Sequence, residues 1–197
     1  MDGSGPEHVL AESKGASSIN STFSPDGKYI VFVRNTGPTG NSITALSLSD
    51  HKILTVVPAP SPQAIVSYPR VSPDGKWVAY SSTETGRKHL YVTSFPGGEG
   101  KWQISGDGGD MPAWRRDGKE LYYVSASELY AAPVSQVGSQ FNPGQPHLLF
   151  RLDNTIATGR VYDAAPDGTR FITPVVINQG GTPTNLLLNW PAELAKK

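Results

Sequence analysis

Short runs of β-branched and aromatic residues recur along this chain, and four of them, widely spaced, start just behind an Asp-Gly pair. Tyr29-Ile-Val-Phe-Val follows Ser24-Pro-Asp-Gly-Lys, and Trp77-Val-Ala-Tyr follows Ser72-Pro-Asp-Gly-Lys. Glu120-Leu-Tyr-Tyr-Val follows Arg116-Asp-Gly-Lys, and Arg170-Phe-Ile follows Pro166-Asp-Gly-Thr. Proline presets φ early in such a turn, aspartate hydrogen-bonds its own backbone, and glycine takes the positive φ. Residues that suit a pleated surface then carry the chain away as a strand. The pattern predicts β-hairpins. No segment shows helical periodicity beyond two turns, apart from a short turn at Pro191-Ala-Glu-Leu-Ala. The turns account for Asp26, Asp74, Asp117 and Asp167, so these carboxylates are read as turn formers rather than ligands.

The four turn aspartates lie 48, 43 and 50 residues apart, a period typical of propeller blades. The second period divides into Pro69-Arg-Val, Trp77-Val-Ala-Tyr-Ser-Ser, His89-Leu-Tyr-Val-Thr-Ser-Phe and Lys101-Trp-Gln-Ile-Ser, four strands from the centre outward. The first and third follow the same plan, the third ending on His147-Leu-Leu-Phe. The last offers only Val161-Tyr-Asp-Ala, Arg170-Phe-Ile-Thr-Pro-Val-Val and Asn185-Leu-Leu-Leu-Asn-Trp, and His8-Val-Leu-Ala-Glu has the size of its missing outermost strand. The expected fold is therefore an all-β propeller in one domain. Its four-stranded units cover approximately 15–58, 59–106, 107–152 and 153–190, the last completed by 6–13. That terminal pairing removes an exposed sheet edge, either within one molecule or between two, the latter giving a dimer with up to eight blades. Expected core positions, matched across the repeats, are Phe23, Val31, Val71, Val78, Tyr80, Trp114, Leu121, Tyr123 and Phe171.

Composition narrows the function classes. Glycine (21) and proline (17) approach a fifth of the 197 residues, as many short strands joined by turns require. A net charge of +0 leaves no electrostatic footprint for nucleic acid. The absence of cysteine excludes disulfides, thiolate nucleophiles and cysteine-based zinc sites. No apolar run reaches the roughly 20 residues of a membrane-spanning helix, and the N-terminus lacks the basic and apolar regions of a signal peptide.

With the repeat in view, the Ser-Pro-Asp-Gly-Lys turns resemble the WD40-like (PD40) propeller repeats of the TolB type. Tyr80-Ser-Ser-Thr-Glu-Thr-Gly-Arg, Tyr91-Val-Thr-Ser-Phe-Pro-Gly, Gly100-Lys-Trp-Gln-Ile-Ser, Trp114-Arg-Arg-Asp-Gly-Lys-Glu-Leu-Tyr-Tyr and Leu188-Asn-Trp are similar to one bacterial family. In that family a serine/threonine protein kinase domain is followed by a C-terminal propeller, commonly with a membrane-spanning segment between them. The resemblance covers nearly the whole chain from about Asp2 and is most specific from Lys101 to Tyr123. It implies an extracytoplasmic propeller. It does not carry over kinase activity, because the Gly-rich nucleotide loop and the His-Arg-Asp and Asp-Phe-Gly elements are missing. TolB-like propellers usually have six or more blades, so a chain with four units looks like the C-terminal portion of one, as a short gene product or an excised fragment.

The search for chemistry returns little. His8, His51, His89 and His147 are scattered among the units without metal-ligand spacing, no Gly-x-Ser-x-Gly elbow occurs, and Gly106-Asp-Gly-Gly-Asp lacks both the lysine of a P-loop and EF-hand spacing. No cofactor and no metal is expected. In a four-stranded blade the Asp-Gly turns emerge on one face, and the loops between blades and between second and third strands emerge on the other. These second loops (59–68, 83–88, 106–111 and 153–160) are longer and more varied, and binding residues concentrate on such loops. Tyr68, Arg70, Arg87, Asp110 and Arg160 are the candidate ligand-binding residues. Two function classes follow. One is a non-catalytic binding or sensor module for a protein, peptide or glycan, as a monomer or homodimer. The other is a hydrolase, such as a glycoside hydrolase, using carboxylates around the channel.

Overall fold

Each Asp-Gly turn joins the first two strands of an antiparallel sheet, and four such sheets follow one another along the chain. The computed structural model describes residues 17–35, 37–138, 140–152, 161–174 and 184–187. The first blade holds β1 (Ser17–Phe23), β2 (Tyr29–Asn35), β3 (Asn41–Ser47) and β4 (Ile53–Val57), paired in chain order. The second holds β5 (Val66–Val71), β6 (Trp77–Ser82), β7 (His89–Ser94) and β8 (Trp102–Gln103) in the same order. The third comprises β9 (Asp110–Trp114), β10 (Glu120–Ser125), β11 (Glu128–Val137), β12 (Gln140–Pro143) and β13 (His147–Arg151). Of the fourth, β14 (Asp163–Ala164), β15 (Phe171–Pro174) and β16 (Thr184–Leu187) are described, in consecutive pairing. The architecture is the all-β propeller that the repeat predicts. The pairing of His8-Val-Leu-Ala with the last blade lies outside the described residues.

The turns close as their chemistry requires. The Asp26 carboxylate accepts from Ser24 Oγ at 2.6 Å and from the Lys28 amide at 3.1 Å. Asp74 repeats both bonds with Ser72 and Lys76, at 2.5 and 3.2 Å. Asp117 and Asp167 take the amides of Lys119 and Thr169, each at 3.0 Å. Gly27, Gly75, Gly118 and Gly168 all lie near φ +70 (69, 73, 72 and 72°), where an L side chain is strained.

The third blade departs from the expected plan. Strand β11 runs beyond the blade to Val137, turns at Gly138 (φ 60°) and pairs with β12, while its first half pairs with β13. Apolar alternation through Val134 lets the strand continue past the point where β13 starts its pairing. The extra hairpin brings Phe141, 1% exposed, to within 5.1, 5.5 and 6.4 Å (ring centroids) of Trp77, Trp102 and Trp114.

Packing runs from blade to blade. Val31, Val33, Ile43 and Ala45 meet Val66, Val78, Tyr80 and Phe95; Trp77, Ala79, Leu90 and Val92 meet Leu121, Tyr123 and Phe141; Ala113, Tyr122 and Val124 meet Val161, Tyr162 and Phe171. Of the expected core positions, Val31, Val78, Tyr80, Leu121, Tyr123 and Phe171 are buried. Val71 and Trp114 are partly buried against the first and second of these clusters. Trp114 keeps its indole N–H satisfied by donating to the Arg70 carbonyl at 2.9 Å. Phe23 is a correction. It is 63% exposed, because it sits on the side of the first blade where no described blade precedes it.

Candidate binding cleft on the loop face

Three inner strands break register at the same place. β1, β5 and β9 each carry a bulge, and each bulge holds one non-glycine residue at positive φ: Asn20 (52°), Tyr68 (52°) and Met111 (55°). All three stand six residues before the turn aspartate. Asparagine tolerates such backbone, but it is sparsely populated for Tyr68 and Met111, and bulges of this kind re-aim side chains. Pro69 and Pro112 follow two of them. A residue without an N–H is tolerated where the ladder is already interrupted.

The bulges lie toward the face opposite the Asp-Gly turns, and on that face the second, third and fourth blades enclose a cleft of about 790 Å³. Its walls come from the β6–β7 loop (Arg87, Lys88), the β8–β9 loop (106–109), the bulge of β9 (Asp110, Met111), β11 (Glu128, Tyr130) and the start of the fourth blade at Val161. A hollow of about 180 Å³ between the first two blades is far smaller.

Opposite charges are paired across the cleft's loops. Lys88 Nζ lies 2.7 Å from Asp110 Oδ2, and Asp110 Oδ1 accepts the Met111 amide at 2.9 Å, which holds the bulge. The same ammonium stands 6.0 Å from the centre of the Tyr68 ring. Arg87 pairs with Asp107 at 2.9 Å, with both side chains mostly in solvent. Glu128 accepts from Tyr130 Oη at 2.7 Å and from Arg151 Nε at 3.0 Å. The Tyr130 hydroxyl and then the Arg151 cation hold the Glu128 carboxyl below its ordinary value, while the bond to Glu128 pushes the Tyr130 hydroxyl up. Tyr123 lies parallel to Tyr130 with centroids 5.5 Å apart, and burial pushes its hydroxyl to about 12.

The glycine-rich segment is the inter-blade loop that its sequence suggests. The Gly109 amide donates to the Lys88 carbonyl at 2.9 Å, tying the two cleft loops together. A Cβ at Gly109 would stand 2.6 Å from Ser105 Oγ and 3.0 Å from Leu90 Cβ, so this position needs the missing side chain for space.

Of the five candidate residues, Arg87 and Asp110 line the cleft and Tyr68 borders it through Lys88. Arg70 does not line it. Its Nη1 donates to the Pro69 carbonyl at 2.8 Å, and its own carbonyl anchors Trp114. Arg160 lies outside the described residues. Sequence reasoning missed Lys88, Asp107, Glu128 and Tyr130. Lys88 and Asp107 stood inside the flagged loops, whereas Glu128 and Tyr130 read as ordinary strand. Among the described residues no group of three His, Asp or Glu side chains is placed to hold a metal ion.

Sheets built on Asp-Gly hairpins and packed face to face make this chain a β-propeller protein. No family model and no curated protein matches its sequence, but solved structures match its fold. It is similar to TolB from Acinetobacter baumannii, with TM-score 0.67 and 18% identity over 92% of this chain and 43% of that one. It is similar to a Mycobacterium tuberculosis puromycin-hydrolyzing peptidase, with TM-score 0.60 and 18% identity over 88% of this chain and 31% of that one. The β-propeller domain of the trilobed protease from Pyrococcus furiosus, which has an open velcro topology, gives TM-score 0.53 and 14% identity over 87% of this chain and 53% of that one. The chain thus spans less than half of the Acinetobacter TolB. These likenesses define the fold as a TolB-like propeller. They do not extend to a kinase-linked setting.

Proposed function

We propose that this chain is a non-catalytic recognition module that binds a polar peptide segment of a partner protein in the loop-face cleft. The fold alone does not choose, since its neighbours include both a TolB and a peptidase. The observation that carries the reading is the pair of ion pairs at the cleft, Arg87–Asp107 and Lys88–Asp110, set on loops joined through the Gly109 amide. Each pair offers a cation and an anion side by side, which suits a chain of mixed charge and amide dipoles. A glycan is less well served, because sugar rings stack on exposed aromatic faces and Tyr123 and Tyr130 each turn one ring face to the other. A glycoside hydrolase is also less well served. Its two carboxyls must be free to act as acid and as nucleophile or base, and Asp107, Asp110 and Glu128 are each held by a cation.

Selection from a displayed peptide library and from a glycan array tests the reading. Mixed-charge peptides should be enriched, and Arg87→Ala or Asp110→Asn should abolish their binding while Lys28→Ala on the turn face leaves it unchanged. Enrichment of glycans alone, or peptide binding indifferent to the cleft variants, would overturn it. Glycoside cleavage that disappears in Glu128→Gln would establish the hydrolase instead.

A further inference from the structure

Six Asp-Gly pairs occur along the chain, at Asp2, Asp26, Asp74, Asp107, Asp117 and Asp167. The pair at Asp2 lies outside the described residues. Four of the other five close the hairpin turns, and Asp107-Gly108 alone lines the loop-face cleft. An aspartate followed by glycine carries a latent reaction. The glycine brings no Cβ to hinder its own amide nitrogen from approaching the aspartate carboxyl.

The turns hold that reaction back from both sides. The amides of Gly27, Gly75, Gly118 and Gly168 each donate to a carbonyl three residues earlier, at 2.9 Å. The carboxylates beside them are bonded too. Ser24 and Lys28 hold Asp26, and Ser72, Lys76 and Gln136 hold Asp74. Arg115 and Lys119 hold Asp117, and Thr169 holds Asp167. Asp107-Gly108 lacks these restraints. Among the described residues the Gly108 amide donates to no acceptor. The Asp107 carboxylate pairs with Arg87, and its side chain is 86% exposed. Ser125 Oγ donates to the Asp107 carbonyl at 2.5 Å. A hydrogen bond to that oxygen favours loss of the Gly108 amide proton, and the nitrogen attacks as it loses it.

We propose that Asp107-Gly108 is a self-modification site, where the folded chain converts to isoaspartate while the four turn pairs stay intact. The Gly108 nitrogen bonds to Asp107 Cγ, and its proton leaves with the carboxyl hydroxyl as water. The five-membered succinimide so formed takes back one water at either carbonyl. Opening at Cγ restores aspartate. Opening at the main-chain carbonyl breaks the original C–N bond and leaves the chain running through Cβ and Cγ. The cleft loop is then one main-chain carbon longer. Its free carboxylate sits on Cα, closer to the backbone, and loses the reach that gives the 2.9 Å contact with Arg87. The effect on recognition rests on the peptide reading of the cleft, whereas the conversion does not.

Peptide mapping by mass spectrometry with synthetic isoaspartyl standards tests this on the full chain, incubated at neutral pH and physiological temperature. The map reads linkage rather than binding, so it succeeds or fails independently of peptide capture. The Asp107 peptide should accumulate isoaspartate through a species one water lighter. The Asp26, Asp74, Asp117 and Asp167 peptides should convert about tenfold more slowly or less, because two or more hydrogen bonds must break first. In concentrated urea the five rates should converge, since only the fold separates them. Equal rates at all five sites in the folded protein would overturn the proposal. So would a turn site faster than Asp107, or a ranking that persists unchanged in urea.

Discussion

The two faces of these blades use acidic residues in opposite ways. On the turn face each aspartate binds groups two residues away, the Ser24 hydroxyl and Lys28 amide around Asp26 being repeated by Ser72 and Lys76 around Asp74, and among the described residues only Asp74 adds a distant partner, Gln136 at 3.0 Å. On the loop face Asp107 and Asp110 reach Arg87 and Lys88 across the sheet's outer strands. A local interaction is encoded by a short motif and recurs wherever the motif does. A pair assembled from distant segments has no motif and appears in one place. The turn face is thus the part of the molecule that is repeated to fold, and the loop face is the part free to differ.

Perturbations should separate the two. The largest effect is expected at Phe141, carried by the unrepeated β11–β12 hairpin yet set among three tryptophans. Phe141→Ala should cost about 3–5 kcal/mol of unfolding free energy, measured by urea denaturation. A loss below about 1 kcal/mol would mean that the hairpin is an ornament rather than part of the core.

Glycines divide along the same line. Gly109 on the loop face is small because Ser105 and Leu90 crowd it, so Gly109→Ala should cost about 1–3 kcal/mol through overpacking. Gly27 on the turn face has nothing within 4 Å of a built Cβ, and only its φ of 69° requires glycine. Gly27→Ala should cost about 1–2 kcal/mol, and Gly27→Asn, which tolerates this backbone, should recover part of it. If asparagine rescued Gly109 equally, the crowding argument there would fail.

Ser72 is buried, donates to Asp74 and accepts the Trp77 amide at 3.0 Å. Ser72→Ala leaves that amide without its side-chain acceptor, at an expected cost of about 1–2 kcal/mol. The turn aspartates add a dependence on pH. The Ser24 hydroxyl holds the Asp26 carboxyl low and Arg115 holds Asp117 at about 2. At Asp74 burial opposes ionisation, but bonds from Ser72, Gln136 and the Lys76 amide outweigh it; at Asp167 the Thr169 amide lowers the value. Carboxyls depressed in the folded state stabilise it above their unfolded values near 4, and that contribution drains away as pH falls toward about 2. These carboxyls are largely solvent-screened, so thermal melts should show a gradual loss of stability between about pH 4 and 2, smaller in Asp117→Asn.

The sequence showed the turn face almost completely and the loop face only in outline. Asp-Gly spacing sufficed for the hairpins, the blade order and most of the inter-blade core, because each rests on local turn chemistry and strict alternation. Phe23 differs from its expected burial because its repeat position is a core position only where a preceding blade packs on it, and among the described residues none does. The β11–β12 hairpin escaped notice because it belongs to one blade alone and no repeat predicts it. The bulges at Asn20, Tyr68 and Met111 left no motif that reading residues singly would reveal, although their shared offset from the turn aspartate is visible once known. Arg87 and Asp110 were found from loop length. Glu128 and Tyr130 were not, since a strand that lines a cleft has the same alternation as one that does not.

The smallest expected effect on folding is the most informative about function. Arg87 and Asp107 form an ion pair with side chains 70% and 86% exposed, and pairs so well solvated contribute little to stability. Arg87→Ala and Asp107→Ala should each change the unfolding free energy by less than about 0.5 kcal/mol. A protein that has no need of this pair to fold has little reason to hold it at the mouth of its cleft, beside a glycine-rich loop, unless something else meets it there. If the two variants unfold like the unaltered chain yet lose captured peptide, stability and recognition are carried by different faces. If they unfold early instead, the pair belongs to the scaffold and the contrast between the faces breaks at this point.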